Sequence, residues 1–217
     1  GIRVVRYGLT RDQVVGLKVI DGRGTLIECN NGRVKNASGY DLRHLFIGSE
    51  GTLGLIVEAT LRLTDPPKPS RVMLLAVDSL DGMMTVFKQF NDALQLTAFE
   101  FLSNAAMRHV RTGHDLPAPM DTETAYYALL EFDCADSSQE DMALERFEHC
   151  MEEGAVLDGV ISQSEAQAAD LWRYREGISE AITKYTPYKN DLSVRISAIP
   201  GYLHDLDQLA QSRYPDF

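Results

Sequence analysis

Two groups of residues in this 217-residue chain have types and spacings suited to chemistry. The first is Gly48-Ser49-Glu50-Gly51-Thr52-Leu53-Gly54-Leu55-Ile56, set between apolar Leu45-Phe46-Ile47 and strand-like Leu55-Ile56-Val57. Glycine is used where a side chain would block close approach or where φ must be positive. The loop therefore reads as backbone that passes close to another group, with peptide groups as the recognition surface. Glu50 is expected to accept backbone N–H bonds and so shape the loop. A structural Gly-rich turn between two strands is the plain alternative. The second group is Arg175, Ser179 and Lys189. Arg175 and Ser179 are four apart and share a face if helical, and a strand starting near Lys189 could return an ammonium to that face. Guanidinium, hydroxyl and ammonium pointing one way form a receptor for carboxylates. Arg173 faces about 200° away from Arg175 on a helix. The alternative is that Arg175 pairs with a helix-surface acid and Lys189 is an exposed loop charge.

Other chemistries find little support. His44, His109, His114, His149 and His204 show no HxH or HxxxH spacing, so no metal ligand is expected among them. Of these only His44, beside the glycine loop, has a case for cofactor proximity. Cys29, Cys134 and Cys150 fit neither a disulfide framework nor a zinc site. No GxSxG, P-loop or GxGxxG–helix motif is present. Residues 1–70 carry ten Lys/Arg against seven Asp/Glu, whereas the whole chain has a net charge of −11. So acidic a remainder argues against nucleic acid, and the mildly basic first part suits an anionic cofactor. No apolar run approaches the roughly 18 residues of a membrane span and no signal-peptide pattern opens the chain, so a cytoplasmic location is expected.

The elements that must position these groups follow from periodicity. Val14 to Ile20, a DG turn and Thr25-Leu26-Ile27 read as a hairpin. Tyr40 to Phe46 reads as a short helix or turn with Leu42, Leu45 and Phe46 on one side, and Leu55 to Leu63 as a half-buried strand. Asp65-Pro66-Pro67-Lys68-Pro69 cannot continue a helix or a sheet, which places a domain boundary there. Beyond it come strand 72–77, helix 83–94, strand 98–102, short helix 105–110, strand 125–132, helix 137–153 and strand 156–161, a ferredoxin-like βαββαβ core. A long helix from about Ser164 to Tyr185, a strand over 191–196, a break at Pro200-Gly201 and a polar helix complete the chain. The fold class is α+β.

The run GSEGTLGLIVEATLRL (residues 48–63), with Asn36-Ala37-Ser38-Gly39-Tyr40-Asp41-Leu42 before it, resembles the FAD-linked D-2-hydroxy-acid dehydrogenases of the vanillyl-alcohol oxidase superfamily. The likeness lies in the group of D-2-hydroxyglutarate dehydrogenase, glycolate oxidase and D-lactate dehydrogenase, and it implies an internal fragment. Residues 1–66 would be the C-terminal part of a flavin-binding α/β domain, and 67–217 a ferredoxin-like cap domain with antiparallel sheet, incomplete at its C-terminus. The resemblance implies that Gly48, Ser49, Glu50, Gly51, Thr52, Leu53, Gly54 and Ile56 line the FAD, largely through main-chain groups. A side chain at Gly54 would then occupy isoalloxazine space. Arg3, Arg6, Tyr7 and Gly8 match a family stretch near the flavin, and Asn36, Ser38, Gly39 and Tyr40 the segment that orders the loop. In the D-2-hydroxyglutarate branch the match makes Arg175, Ser179 (in place of Thr) and Lys189 substrate-carboxylate ligands. Val194-Arg195-Ile196-Ser197 departs from the Leu-Pro run of that branch, which leaves the acid open.

The implied activity is oxidation of a D-2-hydroxy acid to the 2-oxo acid by hydride transfer to flavin N5. The pyrophosphate-gripping glycine loop would lie before Gly1, and a histidine base and metal ion beyond Phe217. No catalytic residue is expected among these 217, which alone should be colourless and inactive. The implied partners are a small carboxylate substrate, an electron acceptor left open, and a second copy in a homodimer. The alternatives are an inactive free-standing α+β binding module or a glycolate- or D-lactate-specific enzyme.

Overall fold

The computed structural model describes residues 1–214. The chain forms two compact units that part inside the proline run: Gly1 with Arg3–Pro67, and Ile2 with Lys68–Phe217.

The first unit opens with two single-turn helices, α1 (Val4–Tyr7) and α2 (Thr10–Gln13). Strands β1 (Val14–Ile20) and β2 (Leu26–Cys29) form the expected hairpin, pairing Leu17 with Cys29 and Ile20 with Leu26. Asp21 closes its turn by accepting the N–H groups of Arg23 (2.9 Å) and Thr25 (2.8 Å). Another one-turn helix, α3 (Arg43–Phe46), leads through the glycine loop to β3 (Leu55–Leu61), which pairs antiparallel with β1 in the order β2-β1-β3. The core of this unit is Val14, Leu17, Val19, Cys29 and Phe46. Two expectations fail here. Of the face expected at 40–46 only Phe46 is buried, while Leu42 and Leu45 are exposed. Strand β3 is exposed at every position instead of half-buried, with Leu55 at 67%. It is an edge strand of a three-stranded sheet, and the small core beneath lies against β1 rather than against it.

The second unit is built on β4 (Ser70–Val77), α4 (Leu80–Ala93), β5 (Leu96–Ser103), α5 (Asn104–His114), β6 (Tyr126–Asp133), α6 (Ser137–Glu152) and β7 (Asp158–Ile161). Its sheet runs β5-β6-β4-β7, all antiparallel, which is the strand order of the ferredoxin-like core. Ser79, Ser103 and Asp136 cap α4, α5 and α6 by accepting N–H groups of their first turns. Alternate residues of β4 feed two cores. Met73, Leu75 and Val77 meet Met83, Val86 and Phe90 of α4 and Ala143 of α6. On the other face, Val72, Leu74 and Ala76 meet Met107 and Val110 of α5 and Trp172 and Tyr174 of α7 (Glu165–Glu176). With both faces covered, the central strands are apolar nearly throughout rather than alternating.

The helix expected to run to Tyr185 breaks at Gly177, and α8 (Ile178–Ala181) and a 3₁₀ turn follow. No strand forms over 191–196, which pairs with neither sheet among the described residues. Pro200 does not break the chain but sits in the first turn of α9 (Ile199–Arg213), where its missing N–H costs nothing.

Gly177 allows a direct test. A Cβ there would lie 2.8 Å from Val110 Cγ2, 2.9 Å from His114 Cδ2 and 3.0 Å from Arg173 O, and Val110 is fully buried. Alanine is the better helix former by about 1 kcal/mol, but the overlap should cost more, roughly 1–3 kcal/mol. Gly177→Ala is thus expected to lower the midpoint of denaturant unfolding. A raised midpoint would show that α5 has room to retreat.

Candidate functional site

The glycine loop takes its form from backbone conformation. Ile47 N–H bonds to Arg43 O (3.0 Å), and Gly48, at φ +84°, turns the chain out of α3. Glu50 and Gly51 follow at φ +51° and +78°. The turn is closed by Ser49 O, which accepts both Thr52 N–H (3.0 Å) and Thr52 Oγ1–H (2.6 Å). Glu50 therefore does not shape the loop as expected. It is exposed, and its carboxylate accepts no hydrogen bond among the described residues. The left-handed conformation is uncommon for a residue with a side chain, and it turns that side chain to solvent. The N–H groups of Glu50, Gly51 and Leu53 have no intramolecular acceptor among the described residues.

The glycines differ in what they make room for. A Cβ at Gly51 would meet nothing within 4 Å, so the space over it is open. At Gly54 a Cβ would lie 2.8 Å from both Val19 Cγ1 and Ile20 O. The space at Gly54 is thus already taken by β1, a correction to the expectation that a side chain there would displace a cofactor ring.

Asn36, Ser38, Gly39 and Tyr40 line a cavity of about 160 Å³ with Asp41 and Asn30. A larger one of about 510 Å³ is lined by Arg33, Arg43, Arg62, Asn30 and Asn36. Arg43, which the sequence did not single out, ties this region together. It binds Asp41 (Nε–H to Oδ1, 2.8 Å) and donates to Val14 O (2.8 Å). That guanidinium holds the Asp41 carboxyl below its ordinary value of 3.8. His44 Nε2 stands 3.6 Å from the same carboxylate. Arg3 and Gly8 flank α1, which carries Arg6 and Tyr7, with the Arg6 guanidinium 5.8 Å from the centre of the Tyr7 ring.

In the second unit Arg175 is partnered from the sheet rather than from its own helix. Its Nε–H donates to Glu100 Oε2 of β5 at 2.6 Å. One turn earlier Trp172 Nε1–H donates to Glu131 Oε2 of β6 (2.8 Å), and Thr97 Oγ1–H donates to Glu131 Oε1 (2.7 Å). Ser179 lies beyond the Gly177 break, exposed, with its carbonyl accepting Thr183 Oγ1–H (2.8 Å). Lys189 is in an exposed loop with no partner among the described residues. The three do not converge on a common partner. Arg173 is exposed, 3.5 Å from Asp170. Glu100 and Glu131 went unremarked in the sequence, where Glu100 is the one acid of β5 and Glu131 stands two residues before Asp133, the last residue of β6. The three thiols are free and buried, and burial pushes Cys150 up to about 11, far from a nucleophile's range.

Comparison with known proteins settles the lineage. Residues 66–214 match the family described as FAD linked oxidases, C-terminal domain. The chain belongs to this family. A D-2-hydroxyglutarate dehydrogenase of Xanthomonas citri pv. viticola is 59% identical over the whole chain, which covers 46% of that protein. One from Stutzerimonas stutzeri is 50% identical over the whole chain, covering 47% of it. The mitochondrial D-2-hydroxyglutarate dehydrogenase of Arabidopsis thaliana is 37% identical over 95% of the chain and 38% of its own length. The chain thus spans about half the length, or less, of the curated relatives it matches. Among solved structures, an alkyldihydroxyacetonephosphate synthase shares the fold with a TM-score of 0.56 at 16% identity, over 82% of this chain and 35% of that one. A p-cresol methylhydroxylase does so with a TM-score of 0.52 at 9% identity, over 81% and 43%. The resemblance to FAD-linked D-2-hydroxy-acid dehydrogenases and the α+β fold class are both borne out.

The Asp41–Arg43 pair makes a pH prediction. A carboxyl whose folded pKa is depressed contributes stability above its unfolded value, and loses it as pH falls through the folded one. Hydrogen-exchange protection at residues 43–46, corrected for intrinsic rates, should therefore decline from about pH 4 downward. With the pair partly exposed, the effect should stay below about 1 kcal/mol. Asp41→Asn should abolish this decline, and an unchanged acid profile in that variant would refute the assignment.

Proposed function

We propose that the chain is part of an FAD-dependent oxidoreductase that converts a D-2-hydroxy acid, D-2-hydroxyglutarate first among them, to its 2-oxo acid. The observation carrying this reading is the glycine loop of a chain that belongs to the FAD linked oxidases. There the N–H groups of Glu50, Gly51 and Leu53 lack acceptors among the described residues, and the space over Gly51 is open. Those features fit a flavin, whose pyrimidine edge pairs with peptide groups at fixed spacing. Residues 48–53 would hold it, with Gly54 and Ile56 bracing the loop on β1. When bound, FAD takes up the hydrogen and electron pair leaving C2 of the substrate.

In this reading the chain's own side chains bind and orient. Arg175 takes the carboxylate next to C2 bidentately, Ser179 donates its hydroxyl, and Lys189 takes the far carboxylate of a dicarboxylic acid. The partly buried position of Arg175 and the identity to D-2-hydroxyglutarate dehydrogenases support this assignment. Among the described residues no three His, Cys, Asp or Glu side chains gather as a metal site. A metal ion and a histidine base would belong to sequence outside these 217 residues. Division into a cofactor part (1–66) and a substrate part (67–217), a homodimer and a cytoplasmic location complete the reading. No helix among the described residues is long and apolar enough to cross a membrane.

Two experiments on the full-length protein test it. Gly51→Val places a branched side chain in the open space, at a φ costing about 1–2 kcal/mol. It should yield folded protein without stoichiometric FAD, and retention of flavin would remove the loop from the cofactor site. Lys189→Met should lower kcat/KM for D-2-hydroxyglutarate by roughly 10- to 150-fold, the loss of one charge-assisted hydrogen bond of about 1.5–3 kcal/mol. The same change should leave D-lactate, which has no second carboxylate, nearly unaffected. Equal losses on both substrates would put Lys189 at the reacting end and defeat the dicarboxylate assignment.

A further inference from the structure

We propose that Glu100 is a positioning residue that presets the Arg175 guanidinium for an incoming carboxylate. The proposal rests on the reading of Arg175 as the substrate receptor. A guanidinium offers a side edge at Nε and an end-on fork at Nη1 and Nη2. Glu100 Oε2 takes Nε at 2.6 Å, and neither Nη is hydrogen-bonded among the described residues. The end-on fork is left for a second carboxylate. The Glu100 side chain is 19% exposed and the Arg175 side chain 33%, so the acid is the fixed member and the cation the one that reaches outward.

The placement of Glu100 supports this role. It stands on β5 opposite Leu129 of β6, on the face it shares with Ala98 and Leu102, and both of those are buried in the α5–α7 core. A carboxylate there is costly unless paired. Trp172, bonded to buried Glu131, is three residues from Arg175 on the same face of α7. Two carboxylates on adjacent strands therefore fix both the rotation and the axial position of the helix. The close packing of Gly177 on Val110 stops it from sliding. The four χ angles of Arg175 are restrained before any ligand arrives, so less entropy is lost on binding. Because Glu100 offsets the charge of Arg175, the attraction comes from the geometry of the fork rather than from excess positive charge.

The test uses full-length, flavin-loaded enzyme with D-2-hydroxyglutarate, together with half-saturation of the thermal stabilisation given by 2-oxoglutarate. Glu100→Ala should raise KM and the half-saturation concentration about 10-fold, leave kcat within about 2-fold, and have no further effect in an Arg175→Met background. Glu100→Gln keeps an oxygen acceptor for Nε–H and should rescue KM to within about 3-fold of the parent. If the alanine variant does not fold, Glu100→Met, which fills the space without an acceptor, takes its place. A purely structural role would lower kcat, Tm and flavin content together, with KM unchanged and no rescue by Gln, and that pattern overturns the proposal. If Arg175→Met raises KM but the Glu100 variants do not, the positioning role fails while the receptor stands. If Arg175→Met leaves KM unchanged, the receptor reading fails and the proposal with it.

Discussion

The second unit is organised around carboxylates that enter an apolar layer. Glu131 is 5% exposed, and its two oxygens accept from Thr97 and Trp172. An isolated charge at that depth would be strongly unfavourable, and hydrogen bonding to both oxygens is what makes the position tenable. The consequence is mechanical. The indole that supplies one bond belongs to α7, so satisfying Glu131 fixes where that helix lies on the sheet, and Glu100 repeats the constraint through Arg175. Tyr174 adds a bond from its hydroxyl to Pro117 O (3.0 Å), which joins α7 to the segment after α5. Apolar packing alone is non-directional. These polar bonds supply the register that Val72, Leu74 and Met107 cannot.

The first unit relies on backbone instead. Its core cluster is five side chains, and its third strand is exposed on both faces. What fixes its loop is a succession of left-handed residues, Gly48, Glu50 and Gly51, with one carbonyl accepting two bonds from Thr52. Such a loop presents N–H groups whose direction is set by φ and ψ, with no rotamer freedom to lose. The receptor in the second unit presents a long, flexible side chain, and it needs an outside partner to gain comparable order.

This difference explains what could be read from the sequence. The hairpin, the helices α4 and α6 and the antiparallel βαββαβ core are encoded locally, through turn residues, capping residues and apolar period. The glycine loop was also legible, because glycine at fixed spacing constrains backbone whatever surrounds it. Features that depend on a neighbour were not. Gly177 reads as an ordinary interior glycine until Val110 and His114 are beside it, and Gly54 reads as cofactor space until Val19 and Ile20 fill it. The strand expected over 191–196 has suitable residues but pairs with no strand among the described residues. Strand β3 has suitable apolar residues and, within its unit, nothing packed over them.

The pairing of Arg175 with Glu100 spans 75 positions, beyond any local pattern, and yet half of it is visible in the strand itself. In Leu96-Thr97-Ala98-Phe99-Glu100-Phe101-Leu102-Ser103, Glu100 falls in the alternating set with Ala98 and Leu102. In Tyr126-Tyr127-Ala128-Leu129-Leu130-Glu131-Phe132-Asp133, Glu131 falls with Tyr127 and Leu129. A sheet covered on both sides has no solvent face to which such acids can be assigned. Each therefore needs donors, which the covering helix supplies to both and Thr97 of the sheet to Glu131 as well. The helix that supplies those donors must carry them about one turn apart, as Trp172 and Arg175 are. An acid in the apolar alternating set of such a strand thus marks where a helix-borne donor is fixed, and Glu100 marks Arg175, whose fork is free among the described residues.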